Sequence, residues 1–576
     1  MFDNTLKLTR FALKRERITF PIWILATTIF NALIVLLFIF VMMPDTHSRL
    51  ELIAMFENPA LLAMVGPLHP ELGTHSSSLG YIYVLFMMLM CAIAVAIMNI
   101  FLVVRHTRTD EELGRYEVLR SLPSGRLANL NAAMVSAIVI NAIFAAAFAL
   151  TMWLSMGAGN DGLYGFGSAL LFGVNMGVIG LVFAAIAALF SQLSSTARGA
   201  LSYSFFSLGF FYFVRAIPDM DTVTPGVGNS EFLAYLSPLG LISRTWVYVD
   251  DIWWPVFVVL AKAVVIAAVA YWLCSKRDIQ QGLIPARPGK AKGGFLLKTT
   301  AGLNTRLLRS SIIAWVLILL LTAASYGTVL DNIEGFVAGS EMYRDLMLAP
   351  VPGLLDALKD APEEQVVDIM NQMLETQGFN IIQMFANMIG FVMAMMAAIP
   401  MLMFVLKAKN EENAMRAELL IATPTSRTKY LAGFVVISFI TAIFLQFAQA
   451  LGMYSLAVSM GFDDKLPLGY TVRSTMVYVP ALWVMSGLTA LFVGLIPKRA
   501  NWVWAFYGFT FFAMMYGRML PDIAFLADLT PMGWVPQLPV DEINPATLII
   551  LSSIGIALAA VGIMFYNKRD INAETG

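Results

Sequence analysis

The sequence predicts an all-α polytopic membrane protein of about twelve transmembrane helices, built as two tandem six-helix modules with cytoplasmic N- and C-termini. Three observations carry that fold class. Of 576 residues, 59% are hydrophobic and only 13% charged, about half the charged share of a soluble protein, and the mean hydropathy is +0.74. Apolar runs long enough to span a bilayer recur from end to end, and short motifs of the first half return in order in the second. This composition excludes a soluble enzyme. With 37 Lys+Arg against 38 Asp+Glu the net charge is -1, which removes nucleic-acid binding through bulk charge. Cys91 and Cys274 both lie in apolar runs, so no disulfide framework is implied.

The chain opens with Lys7, Arg10, Lys14 and Arg17 at helical spacing. Residues 1–17 therefore read either as an amphipathic helix in the membrane interface or as a plain basic flank. A span needs about 20 mostly apolar residues. The first module, 18–279, offers six, at 18–42, 80–104, 130–156, 164–190, 200–216 and 253–274. A linker rich in Gly, Pro and Lys, 280–311, joins it to the second module, 312–571. That module offers spans at 312–330, 380–406, 431–460, 470–496, 502–517 and 546–566. Between its first two spans lies an acidic loop, 331–379, in which Val366, Val367, Met370, Met373 and Leu374 fall on one helical face and predict a small helical cap.

Orientation follows from where the basic residues fall. The N-terminus, the segment 105–127, the linker, the segment 407–429 and the residues after each sixth span hold most of the Lys and Arg. That face is expected in the cytoplasm, and the acidic loop outside.

The repeat fixes the architecture. Asp110-Glu111-x-x-x-Arg115-x-Glu117-Val118-Leu119-x-x-x-Pro123-Ser124-Gly125-Arg126 returns as Glu411-Glu412-x-x-x-Arg416-x-Glu418-Leu419-Leu420-x-x-x-Pro424-Thr425-Ser426-Arg427. Arg215-x-x-Pro218-Asp219 returns as Arg518-x-x-Pro521-Asp522, and Leu236-Ser237-Pro238-Leu239-Gly240 as Leu529-Thr530-Pro531-Met532-Gly533. Lys276-Arg277-Asp278-Ile279 after the sixth span returns as Lys568-Arg569-Asp570-Ile571 after the twelfth. Each module has an even number of spans, so both keep one orientation about an axis along the membrane normal.

The densest motif lies between the second and third spans of each module. Thr109 with Glu112 reads as a capping box and Pro123 as a stop, predicting a short cytoplasmic helix over 110–122. Glu111 with Arg115, and Glu412 with Arg416, stand four apart, a spacing worth only about 0.2–0.5 kcal/mol per pair. Leu113, Tyr116, Leu119 and Leu122 form an apolar stripe on the same helix. Such a helix at the same place in both halves suits a grip for a two-fold cytoplasmic motor; the plain alternative is a solvated basic turn.

Here the sequence resembles a known family. The D/E-E-x-x-x-R-x-E-L-L-x-x-x-P-x-S-R pattern is similar to the permeases of type-2 ABC exporters. The fused double form resembles the exporters of polyketide antibiotics that include tetronasin-resistance permeases. That resemblance implies an exporter of hydrophobic or amphipathic drugs in the bacterial cell membrane, paired with two ABC ATP-binding subunits, identical or different, which hold the ATP and Mg. It implies no cofactor in this chain. It makes Asp110, Glu111, Arg115, Glu117, Arg126, Glu411, Glu412, Arg416, Glu418 and Arg427 the ATPase-coupling residues. The first half departs from the pattern at Val118 and Gly125, and Gly114 corresponds to Met415, so the two docking faces need not be equivalent.

The chain has no G-x-x-x-x-G-K-[ST] loop, so it is not expected to hydrolyse ATP itself. None of the spans as drawn contains Asp or Glu, which counts against the alternative, a secondary ion-coupled drug antiporter. Spans two and eight are rich in Met and spans five and eleven in aromatics, a composition suited to an adaptable apolar pocket. In the exporters the sequence resembles, the second and fifth spans of each half line the central cavity, which makes Met87, Met90, Asn99, Phe206, Phe210, Met384, Met388, Phe506 and Phe509 the candidate substrate pathway; the alternative is ordinary packing or lipid-facing side chains, with Asn99 readable as interhelical glue. Arg215 with Asp219, and Arg518 with Asp522, are candidates for an external gate, as structural pairs or substrate contacts. No metal site is expected, a set from His69, Glu71 and His75 having no known ligand spacing.

Overall fold

The computed structural model describes all residues except 1, 44, 55, 57–58, 121–122, 158–164, 221, 223–230, 279–280, 285–293, 295–296, 298, 327–362, 377, 379, 424, 460, 463, 517–524 and 570–576. Among the described residues the chain is helical with no strand, and it divides into two compact units, Met1–Gly289 and Lys290–Gly576.

Eleven helices among the described residues are long and apolar enough to cross a membrane. In the first unit they are Thr19–Phe40, Leu79–Glu112, Ala128–Met156, Phe166–Leu193, Ala197–Met220 and Trp254–Lys276. In the second they are Thr300–Ala324, Ile381–Asn413, Arg427–Ser459, Leu468–Leu495 and Pro545–Lys568. The expected span at 502–517 is described as the helix Val503–Tyr516, and the residues that follow it lie outside the described residues. A 3-10 turn over Pro497–Trp502 precedes it, with Arg499 off helical geometry at φ -113°. The seventh span starts at Thr300, inside the stretch expected as linker, since Leu303, Leu307 and Leu308 already give it an apolar face and Leu308 is buried. The expected cap helix forms at Glu363–Thr376 with Met370 and Leu374 buried beneath it, while most of the acidic loop lies outside the described residues.

The units bury corresponding helices. The most apolar windows of the second and fourth spans are 67% and 83% buried, and those of the eighth and tenth 78% and 67%. Small residues allow this closeness. Gly487 and Gly494 of the tenth span meet Gly555 and Gly562 of the twelfth, and a Cβ on Gly494 would lie 2.0 Å from the Gly562 carbonyl oxygen. The backbones themselves are therefore the contact surface.

The residues at the N-terminus form the helix Thr5–Arg15, whose Thr5, Thr9 and Ala12 are buried against the third span. The second and eighth spans run 34 and 33 residues, about 50 Å at 1.5 Å per residue, against roughly 30 Å of hydrocarbon. Each is longer than an apolar layer requires, and its last turns carry the repeated acidic motif beside Arg105 and Arg108 or Lys407 and Lys409.

Candidate functional site

Each long span ends in a left-handed residue that turns the chain into a short second helix. In the first unit Gly114 has φ 71° and the helix resumes at Arg115–Arg120. In the second Met415 has φ 61° and the helix resumes at Arg416–Ile421. The motif is thus an elbow, and two expectations change with it. Thr109 does not cap a new helix: Asp110, Glu111 and Glu112 continue the second span through a π turn, so their N–H groups need no capping side chain. Glu112 accepts instead from the backbone N–H of Ala197 at 2.8 Å, capping the first turn of the fifth span. Nor do the expected i,i+4 pairs form. The left-handed step swings Arg115 away from Glu111 to Asp110 at 3.1 Å, and Arg416 away from Glu412 to Glu411 at 2.6 Å.

The freed second glutamate of each motif turns inward. Glu111 accepts two bonds from Arg277, at 2.8 and 2.9 Å, and one from Arg108 at 3.0 Å. Glu412 accepts from Arg569 at 2.6 Å. Arg126 donates to the carbonyl oxygen of Arg277 at 2.7 Å, and its counterpart Arg427 to the carbonyl oxygen of Arg569 at 2.6 Å. Arg277 and Arg569 appear in the sequence only as a repeated Arg-Asp after each sixth span, and that repetition is the one signal that could have singled them out.

Around this shared frame the units differ. Asp110 also takes Arg15 from the N-terminal helix at 2.6 Å, whereas Glu411 takes Lys407 from its own span at 2.7 Å. Asn4 donates to the Pro123 carbonyl at 2.6 Å, so the N-terminal helix braces both ends of the first elbow. Glu16, next to that helix, meets Arg105 and His106 at 3.0 Å each. Burial alone would raise its pKa, but the hydrogen bond to His106 and the charge of Arg105 outweigh it and hold the carboxyl below its usual range.

The elbows present their other residues outward. Arg115, Glu117, Arg416 and Glu418 are exposed, as are the apolar Leu113, Met415 and Leu419, the last at 74%. Tyr116 is half-buried with its hydroxyl donating to the Arg126 carbonyl. The side chains of Leu119 and Leu122, the rest of the expected stripe, lie outside the described residues.

Within each unit the candidate pathway residues differ in exposure. Phe206 and Phe210 are exposed and, with Gly209, Phe213, Val214 and Ile217, line an open apolar groove of 410 Å³ made by the fifth span alone. Met90 is exposed and Met87 half-buried; Met384 is buried, while Met388, Phe506 and Phe509 are half-buried. Asn99 is fully buried in a mutual amide pair with Asn141 of the third span, at 2.7 and 3.0 Å, which serves as interhelical glue. Gly180 of the fourth span closes over that pair, since a Cβ there would collide with the Asn141 side chain.

The fifth helix runs through Pro218 to Met220, so Asp219 falls within the span, against the expectation that no span holds Asp or Glu. Arg215 and Asp219 are both 0% exposed and pair at 2.8 Å. Arg244, which the sequence did not suggest, joins Asp219 at 3.0 Å, and Arg215 also donates to the Met64 carbonyl at 2.9 Å. Arg518 and Asp522 lie outside the described residues. Lys262 is held by the carbonyls of Tyr235 and Leu236. His69 pairs with Asp250, and no group of His, Cys, Asp and Glu among the described residues is placed to hold a metal ion.

Residues 297–361 and 349–567 match the family described as the C-terminal domain of the multidrug efflux system permease Rv1217c. Over 582 residues, covering 99% of this chain and 96% of the relative, the sequence is 30% identical to the multidrug efflux system permease protein Rv1217c of Mycobacterium tuberculosis (strain ATCC 25618 / H37Rv).

Proposed function

The chain belongs to the family of the multidrug efflux system permease Rv1217c, and from that premise we propose that it is the membrane subunit of an ATP-binding cassette exporter. Family membership and its apolar helices make it a multi-pass permease of a bacterial membrane, a transporter component rather than a catalytic chain. In the proposed complex two separate subunits bind ATP and Mg and do the hydrolysis. This chain supplies the path for hydrophobic or amphipathic compounds, antibiotics among them. One observation carries the reading: each unit has an elbow that leaves the same acid and base exposed, Arg115 and Glu117 in one, Arg416 and Glu418 in the other. Two corresponding grips on one chain fit one permease to two ATP-binding subunits.

The division of labour within the motif follows from burial. Glu117, Glu418, Arg115 and Arg416 are the contact residues of the proposed interface. Glu111 and Glu412, held by Arg277 and Arg569, support it from behind. The relief of the grips differs, with Gly114 in one and an exposed Met415 in the other, which suits two unlike contacts or two unlike subunits.

The test is to purify the tagged chain from its native membranes. A stoichiometric pair of subunits carrying phosphate-binding loops, with hydrolysis sensitive to orthovanadate, is the expected result. Glu117→Lys with Glu418→Lys should release those subunits while the permease stays in the membrane. A lone chain whose efflux ignores orthovanadate would overturn the reading.

A further inference from the structure

In the reading above the arginines of the motif after each sixth span only hold Glu111 and Glu412 in place. We propose that Arg277 and Arg569 are positioning residues that fasten each elbow at both ends to the foot of its sixth span, so that a movement of the elbow is transmitted to that span. The inference rests on the proposal that the elbow receives the drive, and adds where the drive goes.

Geometry at the helix ends carries it. Arg277 and Arg569 are the C-cap residues of the sixth and twelfth spans, with extended backbones at ψ 141° and 152°. An extended C-cap turns its carbonyl out of the helical ladder, leaving the oxygen available to another donor. In both units an arginine takes it, Arg126 at 2.7 Å and Arg427 at 2.6 Å. The side chain of the same capping residue reaches Glu111 or Glu412. Glu111 and Arg126 bracket one elbow, and Glu412 and Arg427 bracket the other. A single attachment would let the elbow swivel about it, whereas two at opposite ends make elbow and span foot move together.

The clamp is built twice from the same three positions but completed differently. Arg277 also donates to Gln192 at the end of the fourth span at 3.1 Å, and to the Gln281 carbonyl at 2.7 Å. Arg569 lies over the ring of Tyr566 at 4.7 Å, which stacks on Tyr430 of the ninth span at 6.2 Å. Both pairs are largely out of water, with side-chain exposures of 10% and 6% in the first unit and 16% and 7% in the second. In such a place removing one partner leaves a desolvated charge, so the attachment is lost rather than replaced by solvent.

The experiment uses the full chain in its host membrane with Arg277→Met and Arg569→Met together. Two readouts are taken after checking membrane abundance. One is ethidium efflux. The other is the distance distribution between spin labels on exposed positions of elbow and sixth span, Leu113→Cys with Trp272→Cys and Met415→Cys with Phe565→Cys, in a background of Cys91→Ala and Cys274→Ser. We expect unchanged abundance, a narrow distribution that broadens in the Met variant, and efflux about tenfold lower. Arg277→Lys with Arg569→Lys, which keeps the charge, should restore most of both. Broadened distances with full efflux would overturn the proposal, as would unchanged distances whether or not efflux falls. Efflux that falls with broadened distances yet ignores orthovanadate would support the clamp while defeating the ATP-driven reading. If ethidium is not carried, the distances alone decide, since an elbow that stays in register without the arginines is not clamped by them.

Discussion

Removing the carboxylate of Asp219 is the most discriminating perturbation of the first unit. Asp219 is 0% exposed and is shared by Arg215 at 2.8 Å and Arg244 at 3.0 Å, of which Arg215 is also fully buried. Asp219→Ala leaves two guanidinium groups without their counter-ion, one of them without water. Breaking a buried pair from one side costs about 3–5 kcal/mol. Asp219→Asn keeps the volume and one acceptor but not the charge, and belongs at the low end of that range. Arg244→Ala leaves the Arg215–Asp219 pair whole and removes a side chain with some solvent access, so about 1–2 kcal/mol is expected. For a unit of this size roughly 2–4 °C of melting temperature accompanies each kcal/mol. The alanine and asparagine variants should therefore melt about 6–20 °C lower, asparagine at the lower end, and Arg244→Ala only a few degrees lower. The assay is thermal unfolding of the purified permease in nanodiscs at a fixed scan rate, with efflux measured per folded molecule. If Asp219→Asn melts with the native protein while efflux collapses, the cluster is a substrate contact and the argument from burial fails.

Other outcomes follow from the same geometry. At Gly114 an added Cβ meets nothing within 4 Å, so Gly114→Ala should cost only the left-handed backbone penalty of about 1–2 kcal/mol, less the unfolded-state gain of about 0.4–1 kcal/mol. Met415→Gly should relieve the opposite strain, and parallel denaturation of the two variants checks the signs. Asn99→Leu alone strands the Asn141 amide and should cost about 1–3 kcal/mol, whereas Asn99→Leu with Asn141→Leu should recover most of it; a double variant no better than the single would refute the amide pair as glue. Glu16 is held below its ordinary value of 4.5, so its stabilisation is complete above that value and is lost as pH falls through the lower folded one. The melting difference between the native protein and Glu16→Gln should therefore be constant at neutral pH and shrink only under acid, and a difference that grows on acidification would contradict the assigned sign.

Much of this protein was legible in its sequence because a bilayer leaves the backbone few choices. Apolar length sets where helices run, and eleven of the expected spans appear as helices long enough to cross, the start of the seventh moving furthest, from 312 to 300. The repeat was legible for the same reason, since two copies of one module need the same residues at the same helix ends, and both elbows carry the same acid-base contacts. What helical periodicity alone missed begins at one residue. It assigned Glu111 to Arg115, but the left-handed φ of Gly114, matched by Met415, shifts each partner and frees the second glutamate for the foot of the sixth span. Arg277 lies far along the chain from Glu111, and Arg244 was unconnected to Asp219, so no spacing rule joins them. Which polar groups pair inside an apolar bundle depends on which helices touch. That is decided by small residues such as Gly180, Gly494 and Gly562, whose meaning is a distance between backbones and is not contained in either segment by itself.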